Sequence, residues 1–165
     1  MKQIYLIGGT MGVGKTIICQ KLKAKLNNSV FLDGDWCWDM NPFIVNKETK
    51  EMVIQNITCV LNNFISCSVY SNIILGWVMD EQEIINELID RLNTGECIIH
   101  KISLVCTHAV LMKHLEKDIE SGIRKSDIVD RAIEKLPKYH HLDTQKIDIT
   151  ELTPDAAVLH IIENC

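Results

Sequence analysis

A chain of 165 residues is long enough for one domain with a sizeable core, and its 47% hydrophobic and 24% charged composition is ordinary for a soluble globular protein. No apolar run reaches membrane-spanning length, and a net charge of −5 repels a phosphate backbone, which disfavours both a membrane and a nucleic-acid polymer as partner. The seven cysteines form no C-x-x-C pair and read as small core residues in a reducing compartment rather than as a disulfide frame or zinc site.

The first element is the apolar run from Lys2 to Gly8, read as a strand. It leads straight into Gly9-Thr10-Met11-Gly12-Val13-Gly14-Lys15-Thr16, which fills every fixed position of G-x-x-x-x-G-K-[ST]. Glycine lets such a loop turn successive amides toward one anion, and the helix that follows adds its positive end beneath the same group. Lys15 brings a mobile charge for β- and γ-phosphates, and the Thr16 hydroxyl suits Mg²⁺, so ATP and Mg are the expected cofactors. This start leaves no room for a signal peptide, and a cytoplasmic location is expected.

The first helix runs to about Leu26, with Ile17, Ile18, Leu22 and Leu26 on one stripe. Strand two, Val30-Phe31-Leu32, ends in Asp33-Gly34-Asp35-Trp36. Chemistry gathers at the carboxyl ends of strands in open α/β sheets, so Asp33 is a candidate for holding Mg²⁺ or taking a proton, and Asp35 for binding a polar acceptor. A solvated Asp-Gly turn is the competing reading. Trp36, Trp38, Met40 and Phe43 fit the wall of a pocket or a small satellite core equally well.

Lys47 to about Tyr70 has helical spacing, and Asn72 to Val78 reads as a buried third strand. No acid ends that strand. Asp80 with Glu83 has capping-box spacing for the next helix, a reading preferred over a strand-end catalytic acid. Cys97 to Cys106 is strand four, and Thr107 caps a helix ending near Ser121-Gly122. Beyond it, Arg124 and Arg131 lie on a hairpin at about 120–140 that suits a lid over ATP, with plain surface arginines as the alternative. Ile147-Asp148-Ile149 is strand five. Thr153-Pro154-Asp155 opens the last helix, and His140-His141 reads as an exposed turn pair.

Alternating strand and helix signals make a single α/β domain with a parallel sheet. The P-loop, the Asp33-Gly34-Asp35 strand end and the Gly122-Ile123-Arg124 hairpin together resemble the nucleoside-monophosphate-kinase-like branch of P-loop proteins, which includes shikimate kinase. The resemblance implies a three-layer fold with a five-stranded parallel sheet in the order 2-3-1-4-5 and a helical lid after strand four. It also implies Asp33 near the metal and phosphoryl group, Asp35 on acceptor hydroxyls, and Arg124, with Arg131, on ATP phosphates. Two departures narrow the acceptor: Gly76-Trp77-Val78 replaces the triple glycine of shikimate kinase, and no arginine precedes Arg91. Shikimate and nucleoside monophosphates are therefore disfavoured. The expectation is a kinase acting on a small-molecule or nucleotide acceptor, as a monomer or small homo-oligomer. A nucleotide switch without an acceptor is the alternative, and an uncharged antibiotic is a further acceptor class on the same scaffold.

Overall fold

The structure is a computed structural model and describes residues 1–123 and 127–165. Its strands are β1 Gln3–Gly8, β2 Ser29–Asp33, β3 Asn72–Gly76, β4 Ile98–Val105 and β5 Gln145–Asp148. They pair in parallel in the order β2-β3-β1-β4-β5, as the resemblance implied. The crossovers are helical: α1 Lys15–Lys25, α2 Lys47–Ser66, α3 Gln82–Asp90, and α4 His108–Glu120 followed by α5 Ile128–Lys135. The helix α6, Pro154–Asn164, closes the chain. Among the described residues no helix is long and apolar enough to cross a membrane.

Strand side chains alternate between two cores, as a two-residue period requires. Tyr5, Ile7, Phe31, Ile74, Ile102 and Ile147 pack with α1, α4 and α6, whereas Ile4, Leu6, Leu32, Ile73 and Leu75 pack with α2 and α3. Both faces are covered, which is why the strands are nearly continuous apolar runs. The register sets Asp33 level with Gly76 and Gly76 level with Ile7. The end of β2 and the start of the loop after β1 therefore leave the sheet at one edge, with β3 between them.

Local chemistry accounts for the element ends. Thr107 and Thr153 accept the N3 amides of Val110 and Ala156, and Asn46 forms a reciprocal capping box with Thr49 at the start of α2. Several bounds differ from expectation: α2 stops at Ser66 rather than Tyr70, and β3 stops at Gly76 rather than Val78. Ile17 is exposed although it was placed on the buried stripe, because α1 turns Ile18, Cys19 and Leu22 inward and the residue before that face is rotated about 100° away.

Candidate active site

The phosphate-type loop spans the gap between β1 and α1 and is packed from below. Gly12 and Gly14 take φ of +80° and +107°, which side chains oppose. A Cβ on Gly9 would lie 2.7 Å from Val13 Cγ1, and one on Gly12 2.5 Å from Leu115 Cδ2, so the loop rests on its own Val13 and on α4. Gly14 caps α1 without a side-chain bond, and the first helical turn contains no acid. The first-turn amides are left for an anion. Lys15 arches back over the loop, its Nζ donating to the carbonyls of Gly9 at 2.9 Å and Thr10 at 3.0 Å.

Asp33 stands beside this loop with both carboxylate oxygens engaged. Thr16 Oγ1 donates to Oδ2 at 2.8 Å, and the Asp35 amide donates to Oδ1 at 3.1 Å. Asp33 is buried, so the solvated-turn reading does not hold for it, whereas Asp35 is exposed two residues on. The Thr16 hydroxyl and the Asp33 carboxylate form a pair of hard oxygens whose chemistry would fit Mg²⁺ with a phosphate oxygen beside them. Among the described residues no group of three His, Cys, Asp or Glu could hold a metal without such help. Cys19 lies beneath the pair. Burial pushes its thiol up to about 12 despite the nearby Lys15, with Asp33 adding to the rise, so it stays a neutral packing group.

Against the loop and the end of β2 opens a cavity of about 1340 Å³, bordered by Met11, Asp35, Trp36, Trp38, Phe43 and Trp77. The aromatic cluster divides between its two readings. Trp36 and Phe43 are 67% and 59% exposed on the cavity, Trp38 both lines it and packs onto the core below, and Met40 packs onto that core alone. Gly34 is needed for this arrangement, since a Cβ there would lie 2.5 Å from the Trp77 ring.

The opposite wall is α5. Arg131 and Lys135, one turn apart, both line the cavity, while Arg124 lies outside the described residues. Thr10 Oγ1 donates to the Ala132 carbonyl at 2.7 Å, which ties α5 to the phosphate-type loop. Asp80 overturns its capping reading: the N-cap of α3 is Glu81, with no side-chain cap bond, and Asp80 accepts from Lys135 at 2.5 Å and Lys138 at 3.2 Å. Asp80 is only 6% exposed, and a buried carboxylate is stabilised far more by two ammonium groups than by one helix amide. Burial would raise its carboxyl, but hydrogen bonds and charge from the two lysines hold it below the ordinary aspartate range.

Tyr139 is wholly buried nearby, and its hydroxyl has no hydrogen-bond partner among the described residues. Burial, with the Asp80 charge, pushes that phenol well above its usual range. Sequence reasoning missed Trp77, Lys135, Lys138 and Tyr139 as parts of this region. The spacing of Lys135 four residues after Arg131 was the one available signal.

The protein family described as AAA domain matches residues 6–135. Comparison with curated proteins finds no match. Among solved structures the chain is similar to a tunicamycin resistance protein of Deinococcus radiodurans, with 19% identity and a TM-score of 0.72, covering 99% of this chain and 95% of that one. It is also similar to a gluconokinase of Sinorhizobium meliloti, at 13% identity and TM-score 0.68 over 99% and 94% of the two chains. A shikimate kinase of Acinetobacter baumannii aligns at 20% identity and TM-score 0.64 over 99% and 92%. At these identities the likeness shows the fold, that of P-loop kinases.

Proposed function

The chain belongs to the AAA-domain family and has the P-loop kinase fold, and from that premise we propose that it transfers the γ-phosphoryl group of ATP to a small-molecule acceptor. The observation that carries this reading is the cavity of about 1340 Å³ opening between the phosphate-type loop, through Met11, and the strand end, through Asp35. A switch that only binds and releases nucleotide has no use for a hollow that extends from the phosphate-type loop to the aromatic side chains after β2. A mechanical ATPase needs an acid after β3 to work with the metal; here the first such acid, Asp80, is held by Lys135 and Lys138, while Asp33 stands beside Thr16.

In this reading residues 9–16 cradle the phosphates, with Lys15 reaching the β- and γ-groups. Thr16 and Asp33 hold Mg²⁺, which when bound supplies charge neutralisation at the phosphates. Asp35 and Trp36 meet the acceptor, and Arg124 and Arg131 neutralise charge on the transferring group. The acceptor oxygen bonds the γ-phosphorus as the bond from that phosphorus to the β,γ-bridging oxygen breaks. ADP leaves, and the hydroxyl proton passes to a carboxylate at the end of β2.

The test is incubation with Mg-ATP labelled on the γ-phosphate and a panel of hydroxyl compounds. Label appearing on an acceptor, with release of ADP dependent on it, is expected. Turnover indifferent to every acceptor, but stimulated by a protein partner, would overturn the proposal in favour of a regulatory ATPase.

A further inference from the structure

We infer that the acceptor is an uncharged, amphipathic hydroxyl compound larger than a single sugar, an inference that rests on the kinase reading above. Size is the first ground. The cavity of about 1340 Å³ is shared at Met11 and Arg131 with the transferring phosphate, yet it exceeds the roughly 300–1,000 Å³ typical of sites for small ligands, which leaves room beyond that phosphate for more than a lone hexose.

The second ground is its apolar rim. Trp36, Phe43 and Val45 line it, are 67%, 59% and 53% exposed, and all lie in the segment between β2 and α2. Single exposed hydrophobic residues are ordinary, but a cluster at the mouth of a cavity has a use for an apolar ligand. Indole and phenyl faces there offer stacking area to a planar or aliphatic portion of the acceptor.

Charge is the third. The lining carries the carboxylates of Asp35, Asp39, Glu51, Asp80, Glu81 and Glu87. Against them stand Lys47, Lys50, Arg131 and Lys135, of which Lys135 is bound to Asp80 and Lys47 and Lys50 are exposed near the start of α2. Arg91, the one arginine before the lid region, is engaged behind this wall: it holds Glu51 at 2.7 and 3.0 Å and Glu87 at 2.5 Å, clamping α2 to α3. Glu51 and Glu87 are matched by Arg91, and Asp80 by Lys135 and Lys138. The other acids, Asp35, Asp39 and Glu81, equal the other cations, Lys47, Lys50 and Arg131, so the lining has no surplus of positive charge to hold an acceptor phosphate or carboxylate. Its one guanidinium, Arg131, is assigned to the transferring group in the reading above. A neutral hydroxyl, by contrast, can donate to Asp35.

Calorimetric titration of the full chain, saturated with a non-hydrolysable ATP analogue and Mg²⁺, separates these terms with three probes. They are 2-naphthyl β-D-glucoside, the matching glucuronide and D-glucose. The expected result is at least tenfold tighter binding of the naphthyl glucoside than of either other probe, with the advantage over glucose lost in a Trp36→Ala, Phe43→Ala double variant. Tighter binding of the glucuronide, equal binding of glucose, or no binding of the naphthyl glucoside at millimolar concentration would each overturn the inference. Nucleotide binding, titrated separately on wild type and variant, confirms that both are folded. Failure of that titration on the wild type would fall on the kinase reading rather than on the acceptor class.

Discussion

At the scale of single residues, two short contacts organise the site: Lys15 folded onto the Gly9 and Thr10 carbonyls, and Thr16 bonded to Asp33. The first keeps a buried ammonium satisfied, and in the proposed function phosphates take the place of those carbonyls. The second brings together two oxygens from parts of the chain seventeen residues apart. Asp33→Asn keeps the shape and the Asp35 amide bond but removes the charge. It is expected to lower kcat by about 10²–10⁴-fold, the range for loss of a proton-transfer or charge-stabilising group, with little change in melting temperature. Steady-state kinetics across a Mg²⁺ titration checks this, and wild-type kcat in the variant would remove Asp33 from the mechanism.

At the scale of elements, α5 and the turn Leu136–His141 are held to the end of β3 by Asp80 and to the phosphate-type loop by Thr10. The carboxyl of Asp80 sits below its ordinary value, so its stabilising effect is fully present above about pH 4, the usual aspartate pKa, and is lost as pH falls through the depressed folded value. Asp80→Asn is expected to lower stability at pH 7 by about 1.5–3 kcal/mol, the range for hydrogen bonds to charged groups. The gap between variant and wild type closes as the pH falls below 4. Melting temperatures recorded from pH 7 to 3 decide the matter, and a gap independent of pH would show that the ion pair is not its source.

At the scale of the whole molecule, nucleotide binding should be visible as stability. A ligand at a hundred times its Kd stabilises by about 2.7 kcal/mol, which for a domain of this size raises Tm by roughly 5–10 °C. Thermal unfolding with and without Mg-ATP measures it, and Lys15→Met should shrink the shift. The phosphate-type loop, the alternation of strands and helices and the caps at Thr107 and Thr153 were legible along the chain, because each depends on residues within a few positions of one another. The thiols, read as core groups, follow only in part: Cys19 and Cys106 are buried, whereas Cys59 and Cys165 are exposed, because burial depends on which face the packed layers cover. The strand order was not read from spacing; it came with the resemblance and the sheet has it. Asp80 shows the limit most clearly. Its neighbours in sequence said helix cap, and its partners fifty-five and fifty-eight residues away made it an ion-paired post for α5. Local sequence by itself determined what the phosphate-type loop is, since its geometry is set by adjacent glycines. Only the tertiary structure decided what faces that loop, because the cavity wall is assembled from the segments that follow β2 and β3 and from α2, α3 and α5, and pairing across such distances depends on how the layers pack.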